Sequence, residues 1–252
     1  MNRCKLCAIA IAVLAVLSAG GCARNDETTG SLPVACDAYV QLNAAFFSLP
    51  EQEGTEAEDR RQAETFAAQA VPLADRVAAG LPSELDPTGN RFTKAIRSVG
   101  SEKAFDPVDT DEFFIDSQTI ANHLGTNCSF PGGNVEAVDH SFVELPSTVP
   151  ADRPIALNVT NKGSEAHALS ILRARDGKAL TVAEVLATPV EEVPQRFELV
   201  SAVSVEEPGQ QASLITVLAP GTYVIGCFLH DDGKADSPTH ASAGMIAAVT
   251  AA

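Results

Sequence analysis

Positive charge is scarce in this sequence. Its 252 residues include 17 Lys and Arg against 33 Asp and Glu, a net charge of −16. A surface of that sign repels nucleic acid and anionic lipid head groups, so neither is expected as a partner. It would suit a basic partner protein, but acidity alone is weak evidence for one, and solubility of an exported protein is the plainer explanation. Catalytic signatures are missing too: there is no Gly-rich phosphate loop, no Gly-x-Ser-x-Gly elbow and no His-Glu-x-x-His. No pair of carboxylates stands out as an acid and a base, so no catalytic residue is assigned. Long apolar runs are lacking as well. The stretch Leu6–Leu17 falls short of the roughly 20 residues that a spanning helix needs.

That stretch has another reading. Arg3 and Lys5 precede it, and Ser18-Ala-Gly-Gly and Cys22 follow. Residues 1–21 therefore read as a secretory signal peptide. Cys22, directly after small residues, reads as the lipid anchor of a bacterial lipoprotein held at the extracytoplasmic face of the cell membrane. Ala19 stands where such signals usually carry Leu. The plainer alternative is an ordinary signal, with Cys22 removed or free. Residues 22–35 are small and polar and read as anchor and flexible tether.

Cysteine is limited to six positions, and Cys4 and Cys7 leave with the signal. Cys36 and Cys128 bracket one segment and are paired as a disulfide, as an oxidising compartment favours. Cys227 is then an odd thiol, a liability unless something such as a metal protects it.

Two domains are expected. Residues 36–130 carry helical periodicity. Tyr39, Leu42, Phe46 and Leu49 form one stripe, and Phe66, Ala70, Leu73 and Val77 form another. Thr55 and Glu58 make a capping box. Pro72 predicts a kink or break in the second helix. Shorter helices are expected at Arg91–Ser98 and Asp111–Leu124, giving a small α-helical bundle. His123 lies in the last of these and reads as an ordinary helical histidine. Pro131-Gly-Gly-Asn134 ends the pattern, and from 134 to 252 the period changes to two. Strands are expected at Val135–Leu145, Ile155–Thr160, Ala168–Arg173, Leu199–Val205, Ala212–Leu218, Thr222–Leu229 and Met245–Thr250. Thr181–Ala187 reads as a short helix in a long crossover. Seven short strands with Pro and Gly turns make an all-β Greek-key sandwich.

Within that region lie Asn161-Lys-Gly-Ser-Glu-Ala-His167, Pro220-Gly-Thr-Tyr-Val-Ile-Gly-Cys227 and His240-Ala-Ser-Ala-Gly-Met245. Each part has a plain reading alone: a buried thiol, a core thioether, a strand-capping imidazole. Together they are the donor set of a blue-copper centre, two imidazoles and a thiolate with a weak thioether. From about Val135 onward the chain resembles the cupredoxin family, the plastocyanin and azurin group. The resemblance implies a cupredoxin-like sandwich and one type 1 copper. It implies His167, Cys227 and His240 as equatorial ligands and Met245 as the axial one. Two features depart from small electron carriers. Twelve residues, 228–239, separate Cys227 from His240, a longer loop that is more like copper nitrite reductases. His230, three residues beyond Cys227 in a Cys-x2-His spacing, competes with His240; it could instead sit at the surface or receive incoming copper.

The resulting expectation is an exported, membrane-anchored copper protein that transfers single electrons to an unidentified redox partner, and not an enzyme. A copper oxidase or nitrite reductase needs a second copper site, and only four of the five histidines lie in the β region. The alternatives are a copper carrier or storage protein, and a metal-free structural lipoprotein. Asn158 and Asn161 are expected to support His167, His240 to present the exposed edge through which the electron leaves, and His140 to be structural.

Overall fold

The computed structural model describes residues 30–49, 55–101, 104–189, 192–231 and 237–252. The expected signal peptide, the expected anchor Cys22 and most of the expected tether lie outside the described residues. Four α-helices come first: α1 (Leu32–Phe47), α2 (Glu56–Ala79), α3 (Asp86–Ser98) and α4 (Asp111–Asn127). The end of the expected tether is therefore already helical, with Pro33 in the first turn of α1, where its missing N–H costs nothing. α2 opens on the Thr55–Glu58 capping box. Pro72 does not break α2, which runs through it. Phe66 and Ala70 before Pro72, and Leu73 and Val77 after it, are buried in one core. That packing offsets the hydrogen bond lost at Pro72 and keeps the helix unbroken. Cys36 of α1 is disulfide-bonded to Cys128 at the end of α4.

The remaining chain forms two sheets. Strands β1 (Gly132–Val138), β2 (Ser141–Val143), β4 (Pro154–Asn161) and β7 (Gln211–Val217) make a four-stranded sheet in the order β2-β1-β4-β7. Strands β3 (Thr148–Val149), β5 (His167–Ala174), β6 (Phe197–Val205), β8 (Gly221–Gly226) and β9 (Ile246–Ala251) make a five-stranded sheet in the order β3-β9-β8-β5-β6. The expected strand Val135–Leu145 is instead a hairpin. Asp139 and His140 turn the chain, and His140 adopts φ 63°. Most pairs are antiparallel, but β1 pairs with β4, and β3 with β9, in parallel.

Between the sheets, Val135, Leu157, Val159, Leu169, Ile171, Leu214, Ile225 and Val249 form one apolar core. Cys227 and Met245 belong to it. The crossover after β5 carries α5 (Val182–Ala187), opened by a second capping box at Thr181 and Glu184, and α6 (Val193–Arg196). Leu180 and Val185 of this crossover pack with Leu172, Phe197 and Val224 of the five-stranded sheet.

The helices lie against the other face of the four-stranded sheet. Ala156 of β4 and Ile215 of β7 point away from the sandwich core and are buried with α1–α4. The contact is specific as well as apolar. Asn43 of α1 donates to the Ile215 carbonyl at 2.8 Å. Asn122 of α4 donates to the Gln211 carbonyl and accepts from the Ser213 N–H. Gly125 makes the approach possible, because a Cβ there would sit 2.6 Å from the Ser213 Cβ and 3.0 Å from the Asn158 Oδ1. Gly125→Ala gains helix propensity of about 1 kcal/mol, yet overpacking of this kind costs about 1–3 kcal/mol. We expect a net loss of stability, read as a lower urea midpoint; an unchanged or higher midpoint would contradict this account of the helix–sheet contact.

Candidate metal centre

His167 opens β5 directly after a turn. Asn161, fully buried, builds that turn: its amide donates to the Glu165 carbonyl at 2.7 Å and its Oδ1 accepts from the Gly163 N–H at 2.9 Å. Asn158 lies elsewhere, on the helix-covered face, where it accepts from the Ser213 hydroxyl. Of the two expected supporting asparagines, only Asn161 is connected to the His167 turn.

Cys227 follows the last residue of β8. A short helix, α7 (His240–Ala243), carries His240; Thr239 caps it by accepting from the Ser242 N–H. Gly244 ends it at φ 124°, a conformation that favours glycine, and Met245 leads into β9. Backbone bonds tie these pieces directly. The Cys227 N–H donates to the Met245 carbonyl at 3.0 Å, the Ala241 N–H to the Cys227 carbonyl at 2.7 Å and the Met245 N–H to the His240 carbonyl at 2.9 Å. The loop between Cys227 and His240 is closed at its neck by pairing of His230 with Thr239 and by the His240 N–H on the Leu229 carbonyl.

The result is a convergence of three donor atoms. His167 Nδ1 and His240 Nδ1 are 3.2 Å apart, and Cys227 Sγ is 3.4 Å from His240 Nδ1. One ligand atom from each of the three residues lies within 4.8 Å of the others. His167, Cys227 and Met245 are fully buried, and His240 is 1% exposed. His230 is outside this group: its Nδ1 lies 2.6 Å from the Ser237 carbonyl. His123, on α4, is not in it either.

Each donor has a defined environment. The Ala168 N–H donates to Cys227 Sγ at 3.2 Å. Burial pushes the thiol pKa up, while that N–H pulls it the other way. Burial, and then the neighbouring His240, lower the His167 pKa, so the ring is neutral and has a lone pair to give. Its Nε2 lies 3.3 Å from Asp139 Oδ1. Asp139 is held ionised by the hydroxyl and N–H of Ser164, both at 2.9 Å.

Behind His240 the structure differs from expectation. The ring is buried, not an exposed edge. Its Nε2 faces Glu165 Oε2 at 3.1 Å and Asp231 Oδ1 at 3.3 Å. His140, expected to be structural, stands there too, with its ring centroid 5.4 Å from that of His240 and its Nε2 3.2 Å from Asp231 Oδ1. Sequence reasoning missed Asp139, Glu165 and Asp231. Their one signal was proximity along the chain, since Glu165 is two residues before His167 and Asp231 four after Cys227.

Two imidazole nitrogens and a sulfur, buried together beside a thioether residue, match the donor preference of copper in both oxidation states. Among solved structures, the chain is similar to auracyanins and to rusticyanin. Reduced auracyanin from Roseiflexus castenholzii is 21% identical, over 47% of this chain and 94% of its own, with a TM-score of 0.33. Auracyanin A, a "blue" copper protein from Chloroflexus aurantiacus, is 12% identical over 48% of this chain and 98% of its own, with a TM-score of 0.34. Reduced rusticyanin is 18% identical over 47% of this chain and 74% of its own, with a TM-score of 0.29. No protein-family model and no curated protein matches the chain. No helix among the described residues is long and apolar enough to cross a membrane.

Proposed function

We propose that this chain holds one copper ion at His167, Cys227 and His240, with Met245 as the axial residue, and serves as a one-electron carrier. The observation that carries the reading is the buried meeting of two Nδ1 atoms and one Sγ. When bound, copper supplies a centre that gains and loses one electron with no substrate bond made or broken, so the function is transfer and not catalysis. The chain's own residues do the rest. Cys227 releases its thiol proton on loading, and the Ala168 N–H stabilises the thiolate that remains. Asp139 accepts from His167 Nε2–H, which leaves Nδ1 free to coordinate. The backbone bonds among Cys227, His240 and Met245 hold the donors in one geometry through the redox cycle. Export, a lipid anchor at Cys22 and a location on the outer face of the cell membrane are part of the proposal and rest on the sequence. So does a basic redox partner, guided by the excess of acidic over basic residues with rates that fall as salt rises.

A carrier or storage role would draw on His230 as a spare imidazole beside Cys227. His230 is engaged with Ser237 instead, and full burial of the donors favours retention over exchange. The visible spectrum after one equivalent of Cu(II) tests the reading. An intense thiolate-to-copper band is expected, lost in Cys227→Ser and His240→Ala and kept in His230→Ala. A colourless wild-type protein would sink the electron-transfer reading; tight Cu(I) binding would then indicate a carrier, and no binding a structural lipoprotein.

A further inference from the structure

The outer edge of His240 is the least expected part of the molecule. One ligand atom from each of His140, Glu165, Asp231 and His240 lies within 4.8 Å of the others, and His240 Nε2 is 3.1 Å from Glu165 Oε2 and 3.3 Å from Asp231 Oδ1. Two of these atoms, Glu165 Oε2 and His240 Nε2, are buried and have no hydrogen-bond partner. They are 3.1 Å apart but not aligned as donor and acceptor. That is how two ligands look when they aim at a third atom between them. A buried polar atom without a partner costs about 1–3 kcal/mol, so the arrangement calls for an occupant. Two carboxylates this close also repel, and among the described residues no Lys or Arg forms an ion pair with either.

We infer that His140, Glu165, Asp231 and His240 Nε2 form a second metal site, outside the first, for a divalent cation of borderline character such as Zn(II) or Cu(II). Two imidazole nitrogens with two carboxylate oxygens suit such ions better than Mg(II) or Ca(II), which take oxygen alone. The positions are built and do not depend on chance side-chain placement. Asn161 fixes the Glu165 backbone. The Asp231 N–H is tied to the Pro238 carbonyl at 3.0 Å. His140 sits at the turn between β1 and β2, and the ring of His240 is locked in the core. His140, Asp231 and Glu165 are partly exposed, so a cation reaches the site from solvent. His240 then presents one nitrogen to each site. When Nδ1 is already engaged, a cation on Nε2 displaces that nitrogen's proton, which passes to solvent. The inference shares His240 with the proposed copper site but does not depend on copper being bound there.

The test is the number of Zn(II) ions held by the mature protein after equilibrium dialysis, counted by elemental mass spectrometry. His140→Ala/Asp231→Asn changes two exposed or half-buried side chains and leaves His167, Cys227 and Met245 intact. This variant is expected to hold one Zn(II) fewer than the wild type. Cys227→Ser/His167→Ala, checked for folding by circular dichroism, is expected to keep the outer ion. Equal counts in the wild type and His140→Ala/Asp231→Asn overturn the site, and Glu165 and Asp231 would then serve only to orient His240. A missing blue band together with the one-ion difference would defeat the copper proposal and leave this one standing. A blue band with equal counts would do the reverse.

Discussion

Replacing Cys36 and Cys128 together with alanine is expected to lower the unfolding free energy by roughly 4.5 kcal/mol, the chain-entropy value for a closed loop of this length. The two residues are 92 apart in sequence, so the bond removes a large share of the unfolded chain's freedom. They also join the beginning of the helical layer to its end, with α2 and α3 in between. Without the bond, that layer is held by its own core and by the contacts around Ala156 and Ile215. Urea unfolding followed by circular dichroism measures the effect. The midpoint should fall, and the slope should rise as the uncrosslinked chain unfolds to a more open state. A second, earlier transition would indicate that the helices release before the sandwich. A loss below about 1 kcal/mol would mean that loop closure contributes little here and that the layer's packing dominates.

Much of this architecture is legible in the sequence because its signals are local. The Thr55–Glu58 box, the stripe of α2 and the change of period after Pro131 each depend on a few neighbouring residues. The attachment of the helices to the sheet is not local. It is written only in the two-sided burial of Ile155-Ala-Leu157 and Ala212-Ser-Leu-Ile215, a near-continuous apolar run that a sheet covered on both faces requires. The absence of a break at Pro72 has a related reason: a residue's local cost says nothing of the core that outweighs it. At the candidate metal centre, His167, Cys227, His240 and Met245 stand out because soft donors are rare in this chain. Asp139, Glu165 and Asp231 do not, since acidic residues are everywhere in it. Only the turn at Asp139–His140 and the neck of the 228–239 loop bring them to the rear of the imidazoles. The exposed His240 edge failed as an expectation for the same reason. Its burial is produced by those two segments meeting the turn that carries Glu165, and no spacing encodes that.

Gly163→Ala should disturb the candidate site from outside its proposed ligands. A Cβ at this position would fall inside contact distance of Asp139 Oδ1 and 2.6 Å from His167 Nε2. The backbone cannot retreat, because the Gly163 N–H is held by Asn161 Oδ1 at 2.9 Å and lies 3.1 Å from the Ala137 carbonyl. Asp139 is pinned by Ser164, and the His167 ring is fully buried. One of the two must still move, and Asp139, being nearer solvent, is the one expected to yield. His167 then loses the acceptor on Nε2 and with it the fixed orientation of Nδ1. Overpacking should cost about 1–3 kcal/mol of stability. Loss of the carboxylate behind a metal-binding imidazole should weaken metal affinity by about 10–100-fold. Gly133→Ala is the control, since a Cβ there meets only a proline carbon at 4.0 Å. Urea midpoints and the imidazole nitrogen NMR shifts of His167 report the two effects without requiring bound copper. A Gly163→Ala protein with the midpoint of Gly133→Ala and unchanged His167 shifts would mean that Asp139 does not orient this ring.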